Sequence, residues 1–143
     1  MRIAVALGVA AVLLTACSDG TSGYCESVEE HQVELSDLAA STEPGAVFEL
    51  LGPYRDLRDE APRDLRDEWS QVIGRLEALE SALDAAGVDP AAYDRESPPA
   101  SLSPAQRRAI EGAGRDLGDE ATVAAMAGIE QQALDVCKMP LSQ

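Results

Sequence analysis

Apolar side chains recur every three or four residues through much of the chain, which is the period of an amphipathic helix. The first apolar stripe is formed by Tyr24, Val28, Leu35 and Leu38, with His31 on or beside it. No stretch shows the convincing alternation of apolar and polar residues that is typical of a half-buried strand. The pattern therefore predicts an all-α fold.

Two further helices are expected before residue 88. Pro44 suits the first turn of the second helix, whose apolar residues are Val47, Phe48, Leu51, Tyr54 and Leu57. Pro53 lies inside this stretch and predicts a kink or an early break. Pro62 begins the third helix and Gly87 ends it. The core stripe of the third helix is formed by Leu65, Trp69, Val72, Ile73, Leu76, Leu79 and Leu83.

A proline-rich linker is predicted at residues 88–103, and a fourth helical region follows it. The Ser-Pro pair at 103–104 resembles an N-cap with proline in the first turn, and the region extends to about Lys138. Glycines weaken its early part, so we expect a break near residues 115–118, with a short helix before it and a longer one after it. The longer helix would be lined by Met126, Ile129, Ala133 and Val136. The fold predicted is an antiparallel bundle of about four helices, the last one broken.

Composition limits the classes of function. The 143 residues include 26 acids against 11 Lys and Arg, for a net charge of -15. This length predicts one domain, and this charge argues against binding nucleic acid through its phosphates. Because only 3% of the residues are aromatic, alanine and leucine must supply most of the core.

Residues 1–16 have the features of an export signal: Arg2, then a run of apolar residues too short to cross a bilayer. The run ends in Leu14, Thr15 and Ala16 before Cys17, which resembles the bacterial lipobox. The resemblance implies that Cys17 carries a diacylglyceryl thioether and becomes the first residue of the mature chain. An ordinary secretory signal, or a single-helix anchor, is the alternative. We therefore expect a protein anchored by lipid on the extracytoplasmic face of the cell membrane.

The mature chain divides into a lipidated N-terminus and flexible tether at residues 17–23 and a helical domain at residues 24–143. Removal of the signal deletes Arg2 and no acid, so the mature protein is more acidic still. Anionic lipid repels such a surface. The lipid, and not the protein surface, would then hold the domain at the membrane.

If Cys17 carries lipid, Cys25 and Cys137 remain as an even pair in an oxidising compartment, and they predict a disulfide. An up-down-up-down bundle would bring the start of its first helix beside the end of its last, which is where these two cysteines lie. Two free buried thiols are the alternative.

The first helix is acidic. Residues 17–54 contain no Lys or Arg, and Glu26, Glu30, Glu34 and Asp37 fall on adjoining turns. Such a face could dock a basic partner or bind a divalent cation weakly, although no EF-hand loop is present. We favour docking over metal binding, because carboxylates on one helix rarely surround an ion.

His31 is the single histidine and lacks the companions that a metal site or a catalytic base requires. We expect it to be hydrogen-bonded within the bundle.

The sequence Tyr-Arg-Asp-Leu-Arg-Asp-Glu at 54–60 is repeated almost unchanged as Pro-Arg-Asp-Leu-Arg-Asp-Glu at 62–68. An arginine-bearing recognition surface is one interpretation, and a salt-bridged helix boundary is the favoured one. Trp69 could line a ligand pocket, but a core position is more common for such a residue.

Several segments are similar to stretches of small actinobacterial cell-envelope lipoproteins. They are the lipobox cysteine, the Tyr-Cys-Glu start at 24–26, and residues 61–69, 86–90 and 128–137. The resemblance implies a helical envelope domain with one cysteine near each end. It implies no activity, so no catalytic residue, cofactor or metal ligand follows from it.

These patterns favour a non-catalytic binding or structural module of the cell envelope, with an envelope protein as its possible partner. A carrier of a small apolar ligand is the alternative, and would require an enclosed cavity of ~300 Å³ or more. A hydrolase based on paired carboxylates would require a buried acid in a cleft.

Overall fold

A computed structural model describes residues 21–143 of the chain. Over this range the structure is helical and contains no strand. The main helices are α1 (Thr21–Ala40), α2 (Ala46–Glu49), α3 (Leu51–Glu60), α4 (Arg66–Ala85), α5 (Pro104–Leu117) and α6 (Glu120–Gln132). A short 3₁₀ turn at Pro90–Ala92 lies in the linker, and a π-helical turn at Ala133–Cys137 continues α6. The all-α prediction is confirmed.

The helices form an antiparallel bundle in which α4 contacts α3, α5 and α6. Gly23 at the start of α1 lies beside Glu60 at the end of α3, so these two helices run in opposite directions. Gln106 in the first turn of α5 reaches the carbonyl of Ala86 just beyond the end of α4. Helices α5 and α6 therefore return along α4 one after the other, as the halves of a broken fourth helix.

Three helix boundaries lie a few residues from their predicted positions. Helix α1 begins at Thr21, so residues 21–23, which we assigned to the tether, are helical, because a helix anchored by buried Tyr24 extends cooperatively. The break expected at Pro53 falls at Leu50 instead. Proline removes the hydrogen bond to the carbonyl four residues earlier, and α2 accordingly ends at Glu49. Similarly, α4 begins at Arg66 after a turn that starts at Pro62.

The fourth helical region is broken where predicted, and its second half, which runs from Glu120 through the π-helical turn to Cys137, is the longer one, as predicted. Helix α5 has 14 residues and ends at Leu117, with Gly118 as its C-cap. Ser103 and Gln106 form a capping box at its start, which agrees with the N-cap predicted at Ser103. Asp119 then accepts a hydrogen bond from the amide of Thr122 and caps α6. Val136 is 37% exposed and does not line the core as predicted, because the final turn is π-helical and leaves the α-helical register.

Two clusters of buried side chains hold the bundle together. The larger lies among α1, α3, α4 and α6, and its most fully buried members include Tyr24, Val28, Leu57, Trp69, Ile73 and Ile129. The smaller lies at the other end of α4, where Leu83, Leu102 and Ile110 are buried. The predicted stripe of α4 supplies both clusters, with Leu79 half-buried at the second.

The last six residues fold back over α1. Lys138 has a left-handed backbone conformation (φ 60) and reverses the chain just after Cys137. Leu141 then enters the larger core cluster, where it is 3% exposed. The backbone amide of Gln143 donates to Oγ of Ser36 at 2.8 Å. The chain end is therefore part of the packed structure, and sequence analysis missed this.

Candidate functional site

The predicted lipidation site, Cys17, lies outside the described residues, as do residues 1–16 of the predicted signal and residues 18–20 of the tether. The structure begins four residues beyond Cys17, in the first turn of α1.

The predicted disulfide between Cys25 and Cys137 is confirmed. The two Cα atoms are 5.2 Å apart, and the bond joins the first turns of α1 to the π-helical turn after α6. The chain between them is held in a loop with a sequence separation of 112 residues. The bond lies at the end of the bundle that carries the start of α1 and the end of α3.

An acidic cleft of about 510 Å³ runs between α1 and α3 at this same end. Its α1 wall carries two of the acids that the sequence singled out, Glu26 and Glu30. Its α3 wall adds Asp56, Asp59 and Glu60, which the sequence did not connect with α1. The acidic face is thus a two-sided cleft. The signal that could have found it is the run of acids in the repeat, read together with antiparallel packing of α1 and α3.

His31 lies on the edge of the acidic cleft and bridges its two walls. Its Nδ1 atom is 3.2 Å from Oε2 of Glu34 on the same helix, and its Nε2 atom is 3.4 Å from Oδ2 of Asp56 on α3. The side chain is 15% exposed. His31 is therefore hydrogen-bonded, as expected, but to a surface carboxylate of its own helix, and it contacts α3 through Asp56.

The arginines of the repeated segment contact the protein itself. Arg55 donates to Glu77 of α4 at 2.7 Å, and Arg58 donates to the neighbouring Asp59 at 2.9 Å. From the second copy, Arg66 donates to the carbonyl of Ala61 at the end of α3. These contacts agree with the salt-bridged helix boundary and leave no arginine recognition surface at these three positions.

Trp69 is a core residue. Its ring contacts Tyr54 with a centroid separation of 5.0 Å and an interplanar angle of 59°. Burial raises the pKa of the Tyr24 hydroxyl, and the nearby indole N–H of Trp69 lowers this pKa by a smaller amount. Even so, neither Tyr24 Oη nor Trp69 Nε1 makes a hydrogen bond within residues 21–143. Burial, with a smaller contribution from the charge of Glu130, raises the pKa of Tyr54 to about 12.

Two features bear on catalysis and metal binding: buried acids and clusters of metal-ligating side chains. Across the described part of the chain no Asp or Glu side chain is buried as a whole. Glu68 in the first turn of α4 comes closest, because its Oε2 atom is buried without a hydrogen-bond partner. In the same range, no three His, Cys, Asp or Glu side chains are arranged to hold a metal ion.

A second cleft opens at the other end of the bundle, between α4, α5 and the linker. It has a volume of about 280 Å³. Its lining residues are Leu79, Tyr93, Arg95, Ile110, Glu111, Gly114 and Arg115. Sequence analysis missed this cleft, because the apolar periodicity of α4 and α5 does not predict where the linker passes over these helices.

A larger and more polar cleft of about 730 Å³ lies between the α1–α2 connection and the linker. Gly45 and Glu43 line one side of it, and Asp94 and Glu96 line the other.

None of the helices that the structure describes is both long and apolar enough to cross a membrane.

Comparison of the chain with models of protein families, with curated proteins and with solved structures gave no match. The resemblance to small actinobacterial lipoproteins therefore stays a prediction from the sequence segments quoted above.

Proposed function

We propose that this protein is an exported, lipid-anchored module of the cell envelope that binds or supports another component without catalysing a reaction. The supporting observation is the disulfide between Cys25 and Cys137. Disulfides are typical of exported proteins, and this one uses two of the three cysteines. The remaining cysteine, Cys17, stands at the position that a lipobox requires.

The anchored geometry follows from the start of α1. Thr21, in the first turn of α1, is four residues beyond Cys17. Chain geometry alone limits the distance between the Cα atoms of these two residues to about 14 Å at most. The disulfide end of the bundle, with its acidic cleft, would therefore lie next to the membrane, where two acyl chains give stable attachment.

Fractionation of cells tests the anchor. The wild-type chain, Cys17→Ala and the neighbouring control Ser18→Ala are expressed at equal levels, and membrane and soluble fractions are compared. We expect the wild type and Ser18→Ala to be in the membrane fraction with the mass of a diacylglyceryl group on Cys17, and Cys17→Ala to be unlipidated. A soluble wild-type chain that begins at another residue contradicts the proposal.

The acidic cleft is the surface we propose for a basic envelope partner. Proximity labelling from the anchored protein would identify its neighbours. A triple variant, Glu26→Gln, Glu30→Gln and Asp59→Asn, removes three charges from the cleft. Its control, Glu49→Gln, Glu80→Gln and Glu120→Gln, removes three exposed or half-exposed charges outside the cleft. Loss of a neighbour in the first variant alone supports docking, and equal labelling in both contradicts it.

The alternative of a small-ligand carrier is favoured by one observation, the 280 Å³ cleft beside α5. It is slightly below the usual range for small-molecule sites and opens to solvent, so it would hold a small ligand and cover it in part. It does not meet the requirement set for a carrier above, an enclosed cavity of ~300 Å³ or more, so a ligand bound there would stay partly exposed.

A further inference from the structure

The smaller core cluster is incomplete on the side of the second cleft. Three side chains are buried in it, Leu83, Leu102 and Ile110, whereas Leu79 and Tyr93 are only half-buried beside them. The cleft is bounded by Leu79, Tyr93 and Ile110. An apolar group placed there would cover these side chains and remove their apolar surface from water, which is favourable in proportion to the area covered.

Two arginines stand at the same cleft without an ion-pair partner. Arg95 comes from the linker and Arg115 from α5, and neither has a carboxylate within ion-pair distance among the described residues. Arg55, Arg58 and Arg75 are paired with carboxylates, whereas the other described arginines are, like Arg95 and Arg115, outside the ion pairs. What distinguishes Arg95 and Arg115 is that both line one cleft with an apolar wall. Glu111 is the one carboxylate that lines the cleft, so the lining carries a net positive charge.

We propose that this cleft binds a small amphipathic anion, namely a carboxylate with a short apolar chain. The chain would lie against Leu79, Tyr93 and Ile110, and the carboxylate would accept hydrogen bonds from Arg95 and Arg115, the geometry that guanidinium groups favour. This inference rests on the ligand-carrier alternative and specifies its ligand. It does not depend on lipidation of Cys17.

Calorimetric titration with sodium octanoate, and with octanol as its neutral counterpart, tests the inference. The chain from residue 18 onward is used, because all the described helices, both core clusters and the disulfide lie within it. Detergent is left out, since it would compete for the cleft. We expect octanoate to bind and octanol to bind more weakly.

Gly114 provides a variant that blocks the cleft without disturbing the fold. It lies one turn after Ile110 on the face of α5 that lines the cleft, and a Cβ atom added there meets no other atom within 4 Å. Gly114→Leu should therefore fill the cleft and abolish binding. Gly128→Leu on α6 is the matched control, since its added Cβ is also free of contacts and lies outside the cleft.

The arginines are tested separately. Arg95→Gln and Arg115→Gln should each weaken octanoate binding about two- to fivefold, the range for a partly exposed ion pair, and leave octanol unchanged. Arg107→Gln, at an exposed position on α5 outside the cleft, should leave the affinities for octanoate and octanol unchanged.

Equal affinity for octanol and octanoate overturns the anion assignment. Absence of octanoate binding, or binding that survives Gly114→Leu, overturns the site. None of these outcomes alters the membrane fractionation of the wild type, so failure of the site and failure of the anchor are distinguishable.

Discussion

Gln32 on α1 donates a hydrogen bond from Nε2 to the backbone carbonyl of Pro140, 2.6 Å away and 108 residues later in the chain. A second contact joins the side chains of Gln143 and Gln32 at 3.2 Å. Together with the disulfide at Cys25, these contacts hold the C-terminal segment along α1 over several turns. The end of the chain therefore closes the bundle over α1, on the same helix that forms one wall of the acidic cleft.

Leu141→Ala should destabilise the protein by about 2–3 kcal/mol, because truncating a buried leucine removes apolar contacts and leaves a cavity. Leu134→Ala is the matched control. Its side chain is 46% exposed, so we expect a change within about 0.5 kcal/mol. Urea unfolding of both variants with the disulfide intact measures the difference. Equal stability of the two variants would show that the C-terminal segment contributes nothing to the fold.

The fold could be predicted because its signals are local. The apolar spacing of residues 65–83, the Ser-Pro pair at 103–104 and Gly87 each act within a few residues of where they stand, and each feature lies where expected. Leu141 could not be placed in the same way, since its burial depends on the left-handed turn at Lys138 and on a surface of α1 far away in sequence.

Removal of the disulfide should cost a large part of the stability. For a loop of more than 100 residues, the chain-entropy model gives about 4.7 kcal/mol, lost through greater freedom of the unfolded chain. The double variant Cys25→Ala and Cys137→Ala, compared with the parent in urea, measures this cost. Both chains carry Cys17→Ser, so that no third thiol exchanges with the pair.

The parent chain with Cys17→Ser, unfolded with and without a reducing agent, is the control for the alanine substitutions. Reduction should lower its midpoint by about as much as the double substitution. If reduction leaves the urea midpoint in place, the loop closure does not stabilise the fold and the entropic account is wrong.

Gly45 and Gly87 allow backbone strain to be separated from steric overlap. Both have positive φ, at 76 and 72. A Cβ atom on Gly45 would lie 2.5 Å from the Cα atom of Ala91, whereas one on Gly87 meets nothing within 4 Å. Gly87→Ala should therefore cost about 1–2 kcal/mol of left-handed strain.

The Gly45→Ala substitution should cost more, about 3 kcal/mol or greater, because the linker backbone must also move. Thermal unfolding of the two variants gives the comparison. Gly74→Ala, inside α4 with open space around it, should instead stabilise the protein slightly through helix propensity. A smaller loss at Gly45 than at Gly87 would mean that the α1–α2 connection does not rest on the linker.

The site was less predictable than the fold. Glu26 and Glu30 could be assigned to one helix face from their spacing, but the second wall of the cleft, with Asp56 and Asp59, depends on how α1 and α3 pack. The cleft beside α5 depends on Tyr93 and the linker, whose path is set by tertiary contacts and not by a repeating pattern. Sequence patterns thus identified charged groups correctly but not the surfaces they form together.

The buried hydroxyl of Tyr54 predicts a loss of stability at alkaline pH. Burial, followed by the charge of Glu130, raises its pKa from 10.0 to about 12, so the folded state holds this proton more tightly than the unfolded state. The stabilisation is complete below pH 10 and is lost as the pH rises towards 12, by about 3 kcal/mol at most. Tyr54→Phe keeps the ring against Trp69 and should lose less stability than the parent over this interval, while Tyr24, whose pKa is also raised, still titrates in both. Urea unfolding at neutral pH and through this interval measures the difference, with Tyr93→Phe as a control at a half-buried ring. Parallel losses in Tyr54→Phe and the parent would show that the Tyr54 hydroxyl does not titrate differently in the folded chain.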